Sequence, residues 1–381
     1  MVGRLSGART TTPAAAAAAT TGPLGPAVGA GPAVPAIYVF GDSTADVGTN
    51  NYLRRCGAKA NFAHFGIDYP GSKPTGRFSN GYNSVDFLAQ FLGFKESPPP
   101  YLYFINNDKR NFARNVLNGT NFASGGSGLL DITGNKPYRK VVPFSEQVRQ
   151  FGTVRKAYKK VLGGVAAEKR LSNSLFLISV GSNDLFEHFI FNYNRSDPKA
   201  QQTFINSLLT SYENHLRTLL KLGARRFGVV GLGPIGCCPL LRVKNGNGEC
   251  FEVVNQYARI FTHGIEDLLR KLSSDKSQHT MKYTIAKAFD LTLTLINDPT
   301  PYSCVGFKDA KSACCGGGGK LNAEKPCKPN SMVCEDRKSM LFWDQFHPTE
   351  AAYKLAAMAL FGGGEHNVEP INIGQLAGLR I

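Results

Sequence analysis

The sequence predicts an α/β fold in which a parallel sheet is covered by helices on both faces. Short apolar runs typical of buried strands alternate with longer segments whose apolar residues recur at helical spacing. The runs are apolar on successive residues, which is typical of strands buried on both faces of a parallel sheet. Apolar residues make up 42% of the 381-residue chain, enough to fill such a core.

The first strand and the first helix follow a low-complexity segment. Residues 1–35 are rich in Ala, Pro, Gly and Thr and contain no acidic residue, so we expect them to be disordered or processed. Residues 36–40 (AIYVF) end at Gly41 and predict a buried strand. Residues 84–92 carry apolar side chains at helical spacing before Gly93 and predict an amphipathic helix.

Two more strands enclose a long helix in the middle of the chain. Residues 174–180 (SLFLISV) predict the second strand, and residues 226–232 predict the third. Between them, residues 203–222 repeat apolar side chains every three or four positions and stop at Gly223, as a helix does. Residues 146–160 show a similar helical pattern.

The last part of the chain continues the alternation. Residues 260–272 predict a helix, residues 283–288 a fourth strand, and residues 350–361 a final helix with Thr349 as its N-cap. The cysteine-rich residues 299–337 are expected to form a loop at one edge of the sheet.

The chain is strongly basic, with 44 Lys and Arg against 28 Asp and Glu and a net charge of +16. Ten of the basic residues lie between Lys136 and Arg170, where we expect a solvated basic face. Zinc-finger and RNP motifs are absent from the sequence, which disfavours a nucleic-acid binder. No run of 18 uncharged apolar residues occurs, so no membrane-spanning helix is expected.

Eight of the nine cysteines fall between Cys237 and Cys334, a density typical of disulfides formed in an oxidising compartment. Because nine is odd, at least one thiol is unpaired or pairs between chains. No C-x-x-C pair occurs, so a zinc site is disfavoured. Short loops suggest pairing of Cys237 or Cys238 with Cys250, and of Cys327 with Cys334.

Polar residues with catalytic chemistry follow the predicted strands. Ser43 comes directly after the first strand, where open α/β sheets place their sites, and a helix starting there would aim the Ser43 N–H at a negative charge. Asn183 follows the second strand and can donate to an oxyanion. Asp344 and His347 are three residues apart in a turn, which lets the carboxylate fix the imidazole tautomer that a general base requires.

Together these segments resemble the plant GDSL esterase/lipase family of the SGNH hydrolase superfamily. The resemblance spans roughly residues 36–361 and rests on FGDSTADVGTNNYL, NFASGGSGLLDITG, ISVGSNDLF, GLGPIGCCP and FWDQFHPTEAAY. Thr44 stands where the family name implies leucine. The resemblance implies a three-layer, flavodoxin-like α/β/α sandwich with about five parallel strands.

The resemblance also implies a serine ester hydrolase that needs no cofactor and no metal. It implies Ser43 as the nucleophile, His347 as the base and Asp344 as the residue that orients it. The implied oxyanion donors are the Ser43 N–H, a glycine of the 125–126 pair, for which Gly125 is preferred, and Asn183. Since Ser43 and His347 must meet, residues 36–381 are expected to form one domain.

The substrate implied by the resemblance is an acyl ester, lipid-like or acetylated. The alternative is a catalytically silent binding protein of the cell wall on the same fold, and the charge favours contact with polyanionic cell-wall material or anionic lipid. The cysteines and the N-x-[ST] sequons at Asn118 and Asn194 favour secretion. The N-terminal segment is a poor signal peptide and faintly resembles a plastid transit peptide.

Overall fold

The fold is mixed α/β, built around a mostly parallel sheet of six strands. The computed structural model describes residues 31–192, 198–275, 280–297 and 306–378. Labelled in chain order, its strands are β1 (Ile37–Gly41), β2 (Gly119–Asn121), β3 (Leu175–Ser179), β4 (Arg226–Val230), β5 (Lys282–Ala286), β6 (Asp309–Ala313), β7 (Cys315–Gly316), β8 (Met332–Val333), β9 (Met340–Phe342) and β10 (Val368–Glu369).

Helices of very different lengths connect these strands. They are α1 (Ser84–Phe91), α2 (Tyr101–Asn107), α3 (Phe112–Asn115), α4 (Asn135–Tyr138), α5 (Phe144–Leu162), α6 (Gly164–Asn173), α7 (Ser182–Glu187), α8 (Pro198–Lys221), α9 (Pro239–Lys244), α10 (Glu252–Ser274), α11 (Ala288–Asn297), α12 (Glu350–Gly362) and α13 (Ile373–Gly378). Short 3-10 turns cover Thr49–Tyr52, Lys109–Asn111, Val116–Asn118, Ile235–Cys237, Lys320–Asn322 and Arg337–Ser339, and a π turn covers His188–Asn192.

The strand order of the main sheet is β10-β5-β4-β3-β1-β2. The five strands from β5 to β2 are parallel, and β10 pairs antiparallel with β5. The chain leaves β1 first toward β2 and then returns to β3 on the other side, so the order reverses at β1. A crevice at the carboxyl ends of β1 and β3 is therefore the expected ligand position.

Alternate strand residues enter two separate apolar clusters, one on each face of the sheet. Tyr38 and Phe176 pack on one face with side chains from α5, α8 and α10. Val39 and Leu177 pack on the opposite face with side chains from α1, α12 and α13. Helices therefore cover both faces, as the apolar runs predicted.

The four strands and the helices predicted from periodicity are confirmed, with shifted ends. The helix expected over residues 203–222 begins earlier as α8, the one expected over 260–272 extends in both directions as α10, and Thr349 caps α12 by accepting from the Ala352 N–H. The sheet has the expected five parallel strands, and β10 adds a sixth, antiparallel strand that was not predicted. The strands β2 and β10 have three and two residues, too few to show a period of two in the sequence.

The cysteine-rich segment is more ordered than the predicted loop. Its described part contains β6, β7 and β8, which form two small sheets, one of them with β9. The strand β7 pairs antiparallel with β8. Residues 299–305, which start the predicted loop and include Cys304, lie outside the described residues.

Among the described residues there are three disulfides, Cys237–Cys250, Cys314–Cys334 and Cys315–Cys327. The first was among the predicted pairings, but the predicted Cys327–Cys334 bond is wrong. The register Cys315↔Val333, continued by one residue, brings Cys314 opposite Cys334, so strand pairing decides the partner and loop length does not. In the described part of the chain, Cys56 and Cys238 are unpaired and buried.

Candidate active site

The chain turns sharply at the carboxyl end of β1 and presents Ser43 there. No helix begins at this point, because a single turn forms in which the Asp42 carbonyl accepts from the N–H groups of Ala45 and Asp46. The preceding Gly41 has a φ of +150°, and a Cβ there would collide with the Ser179 carbonyl oxygen of β3. Glycine therefore allows the strand ends to approach where the crevice opens.

Ser43, His347 and Asp344 form one hydrogen-bonded chain across the fold. The Ser43 Oγ lies 2.8 Å from His347 Nε2. His347 Nδ1 lies 2.8 Å from one Asp344 carboxylate oxygen and 2.9 Å from the other. All three side chains are buried. A carboxylate at Nδ1 favours the tautomer whose Nε2 lone pair faces the hydroxyl.

The loop that carries the imidazole is fixed by its own carboxylate and by aromatic packing. Asp344 Oδ1 accepts from the backbone N–H groups of Phe346 and His347, each at 2.9 Å. The His347 carbonyl accepts from the Trp343 N–H, and the Trp343 side chain is fully buried. The ring of Phe78 lies 5.0 Å from the imidazole, centroid to centroid. The imidazole is therefore positioned by its own loop and by the ring of Phe78 from a distant part of the chain.

Asn183 and the glycine-rich loop, which comprises residues 121–134, face the same crevice. The Asn183 Nδ2 donates to the Ser127 carbonyl at 3.0 Å, which orients the amide and leaves its second hydrogen for another acceptor. The Gly125 N–H donates to the Asp46 carboxylate at 2.9 Å. Gly126 borders the cavity at Ser43, and no acceptor for its N–H is present among the described residues.

A cavity of about 900 Å³ opens at Ser43. Its lining is mainly aliphatic and aromatic, and its charged or titratable members include Asp42, Lys59 and Lys328 beside Asp344 and His347. This volume lies at the upper end of the range typical of small-molecule sites. The site therefore joins a polar centre to an apolar chamber large enough for an organic substrate.

A family model, GDSL-like Lipase/Acylhydrolase, matches residues 37–360, most of the chain. The chain belongs to this family. Among its curated relatives, the GDSL esterase/lipase At5g55050 of Arabidopsis thaliana is 38% identical over 349 residues, covering 90% of this chain and 90% of the relative. The GDSL esterase/lipase At4g16230 of the same plant is 36% identical, covering 92% and 93%.

In this GDSL family member, the buried Asp46 and Asp184 hold the glycine-rich loop in place. The sequence analysis did not identify either residue. Asp46 accepts from Gly48, Thr49 and Gly125, and Asp184 accepts from the N–H groups of Leu129 and Leu130. The Thr133 hydroxyl also donates to Asp184, at 2.7 Å. The aspartates that end GDSTAD and GSND could have indicated this role, because buried loop N–H groups need an acceptor.

Burial raises the pKa of Asp46 and of Asp184 to about 6, and the hydrogen bonds they accept offset part of this increase. In the unfolded chain each carboxyl titrates near 3.8. A raised folded-state pKa means that the folded protein holds the proton more tightly than the unfolded chain. The stability that each protonated acid contributes is therefore present below pH 3.8 and is lost as the pH rises through about 6.

Replacing Asp184 by asparagine should flatten this pH dependence of stability. Since an asparagine side chain cannot titrate, the loss of unfolding free energy from about pH 4 to about pH 7 should shrink by about 2 kcal/mol relative to the wild type. Urea unfolding at both pH values measures this change. The exposed Asp267→Asn is the matched control and should keep the wild-type slope. Equal slopes in Asp184→Asn and wild type would contradict a raised pKa at Asp184.

A metal centre finds no support in the ligand geometry. In the described ranges, the one cluster with suitable spacing is Cys237, Cys250 and Glu252. Cys237 and Cys250 are joined in a disulfide, so neither offers a thiolate. None of the helices in the described part of the chain has the length and apolar character needed to span a membrane.

Proposed function

We propose that Ser43 is the nucleophile of this carboxylic ester hydrolase. His347 is the general base and Asp344 orients its imidazole. The observation that carries this proposal is the 2.8 Å contact of Ser43 Oγ with His347 Nε2, at the mouth of an apolar cavity. Family membership and the names of the relatives support ester hydrolysis as the reaction.

The proposed reaction runs in two halves. His347 Nε2 takes the Ser43 proton as Oγ attacks the ester carbonyl carbon, and the resulting imidazolium is stabilised by Asp344. The tetrahedral intermediate then collapses, and His347 gives the proton to the departing alkoxide, which leaves as an alcohol. In the second half, water is deprotonated by His347 and attacks the acyl-enzyme, which releases the carboxylic acid and restores Ser43.

The oxyanion donors in this proposal are the N–H groups of Ser43 and Gly126 and the Asn183 amide. Gly126 replaces the predicted Gly125, because the Gly125 N–H is already donated to Asp46. Backbone N–H groups fixed before the reaction need no reorganisation as charge develops. The Gly126 φ of +82° is a conformation that favours glycine, which supports a specific backbone role there.

Replacing Asn183 by alanine should lower kcat for a p-nitrophenyl ester by about 10² to 10³-fold. The loss should fall on kcat rather than on KM, because the amide contacts charge that exists only after attack. Steady-state kinetics separate the two parameters. Asn173→Ala, a change at a residue outside the cavity, serves as the control. An Asn183→Ala enzyme with unchanged kcat would remove this residue from the oxyanion site.

A fluorophosphonate probe tests the proposal as a whole. The wild-type protein should be labelled on Ser43, and peptide mass mapping should find the adduct on that residue alone. Labelling requires a serine hydroxyl activated by a base, so a merely surface serine such as Ser207 should stay unlabelled. An unlabelled but folded protein that binds an ester ligand would instead support the silent binding protein.

We further infer one domain over residues 36–381 with the flavodoxin-like sandwich of the SGNH superfamily. Contacts between Ser43 and His347, 304 residues apart, support one folding unit, as does the sheet that joins β1 to β10. The described part of the chain begins at residue 31, so the boundary of residues 1–35 stays a prediction.

We infer maturation in an oxidising compartment and secretion, with the plastid as the alternative location. Three disulfides support this. Asn118 of one sequon is exposed, whereas Asn194 of the other lies outside the described residues. Contact with polyanionic cell-wall material stays a prediction from the charge, and salt-sensitive retention on polygalacturonate would test it.

A further inference from the structure

The cavity at Ser43 continues into an arm between the sheet and the helices α1 and α12. We call this part the chain arm and define it by six side chains that line the cavity: Val85, Leu88, Leu177, Ala352, Ala356 and Leu360. Most of them belong to the apolar cluster on the α1 and α12 face of the sheet. Five of the six side chains are buried and Ala356 is half-buried, so the arm lies between the sheet and the two helices.

Small side chains on α12 create the space. Ala352, Ala356 and Leu360 are spaced four residues apart, so they lie along one face of the helix. The facing helix α1 contributes the larger side chains of Val85 and Leu88 to the lining. In contrast, α12 contributes only the methyl groups of its two alanines. Ala356 lies midway along this row, so the size of its side chain sets how far the arm extends from Ala352 toward Leu360.

The chemistry of the arm fits an unbranched hydrocarbon. None of the six side chains that define it carries a polar atom or a charge, and Val85, Leu88 and Leu360 are at most 5% exposed. A polar group placed there would lose its hydration without gaining a partner. A methylene chain, in contrast, gains about fourfold in binding for each CH₂ buried.

We propose that the chain arm binds the long hydrocarbon chain of an aliphatic ester and that Ala356 limits its length. The preferred substrate is then a long-chain ester rather than an acetylated polysaccharide. This inference rests on the proposed function of Ser43. The chain can belong to the acyl part or to the alcohol part of the ester, since both radiate from the carbonyl carbon that Ser43 attacks.

Two ester series test the proposal on the full-length protein. The first is p-nitrophenyl acetate, butyrate, octanoate and laurate, and the second is ethyl, octyl and dodecyl acetate. For the wild type, kcat/KM should rise with chain length in one series, which identifies the part of the ester that enters the arm. In Ala356→Phe, the ratio of kcat/KM for the long member of that series to kcat/KM for its short member should fall by about 15-fold, as expected if two methylenes are excluded.

Two further variants distinguish occlusion of the arm from a loss of folding. Ala356→Leu should give a smaller decrease on the long ester than Ala356→Phe does. Ala359→Phe lies on the same helix but outside the cavity lining, and it should retain the wild-type profile. A variant that loses acetate and laurate turnover equally has lost its fold. In that case the chain-length profile of Ala356→Leu, compared with that of the wild type, tests the proposal.

The outcomes separate this inference from the proposed function. A flat wild-type profile in both series, or an Ala356→Leu profile identical to the wild type, overturns the chain arm while Ser43-dependent acetate hydrolysis still stands. Acetate hydrolysis that survives in Ser43→Ala overturns the proposed function itself. A chain-length gain in either series that Ala356→Phe abolishes supports the arm.

Discussion

Ser43→Ala should reduce kcat for p-nitrophenyl acetate by about 10⁶-fold, the largest effect expected of any single change. Alanine has no Oγ to attack the carbonyl, and the 2.8 Å contact with His347 Nε2 then has no hydroxyl to activate. Removing the nucleophile from a cooperating triad abolishes nearly all of the rate enhancement that the covalent pathway provides, because the other two members act only through the nucleophile. Stopped assays at high enzyme concentration with active-site titration measure the residual rate.

The same variant should keep the fold. Ser43 lies in a turn whose hydrogen bonds come from backbone groups of Asp42, Ala45 and Asp46, so the loss of one hydroxyl leaves that turn intact. Thermal unfolding should agree with the wild type, and the exposed Ser207→Ala should match it in both activity and stability. A folded Ser43→Ala protein with more than about one hundredth of wild-type kcat would exclude Ser43 as the nucleophile.

Asp344→Asn should lower kcat by about 10⁴-fold. The asparagine amide would donate to His347 Nδ1, so the ring proton would move to Nε2 and leave no lone pair toward the Ser43 Oγ. The oxygen of the new amide can still accept from the Phe346 and His347 N–H groups, which now donate to the carboxylate, so the loop geometry should persist. Steady-state kinetics with fluorophosphonate labelling rates measure the loss of serine activation.

A second variant at this position separates tautomer control from support of the loop. Asp344→Ala removes both the imidazole partner and the acceptor of two backbone N–H groups, so it should lower stability as well as kcat. Comparable activity in Asp344→Asn and the wild type would show that another group sets the tautomer of His347.

Much of the candidate site was predictable because the carboxyl ends of parallel strands lie at the same edge of the sheet. The apolar runs placed Ser43 after β1 and Asn183 after β3, and these strands are neighbours. The turn motif gave the Asp344 and His347 pair from local spacing alone. The structure places Ser43 within hydrogen-bond distance of His347, and the chemical roles of these residues stay predictions.

Other features depended on contacts between distant segments, which a single sequence does not display. Gly125 and Gly126 are adjacent and equivalent in the sequence, and only the hydrogen bond to Asp46 distinguishes their N–H groups. The Cys314–Cys334 pairing depends on the register of β7 and β8, two strands of two residues each. Glu350 Oε1 accepts from the Tyr82 N–H, and these two residues are 268 positions apart.

The 304-residue separation of Ser43 and His347 has a consequence during synthesis. A nascent chain emerging from the ribosome displays Ser43 first, and it carries no His347 to activate the hydroxyl until 304 further residues have been added. Hydrolysis would thus begin only after the C-terminal part of the chain has docked, and any transcript that stops short of residue 347 would encode an inert product. Esterase activity would then report completed folding as directly as it reports chemistry.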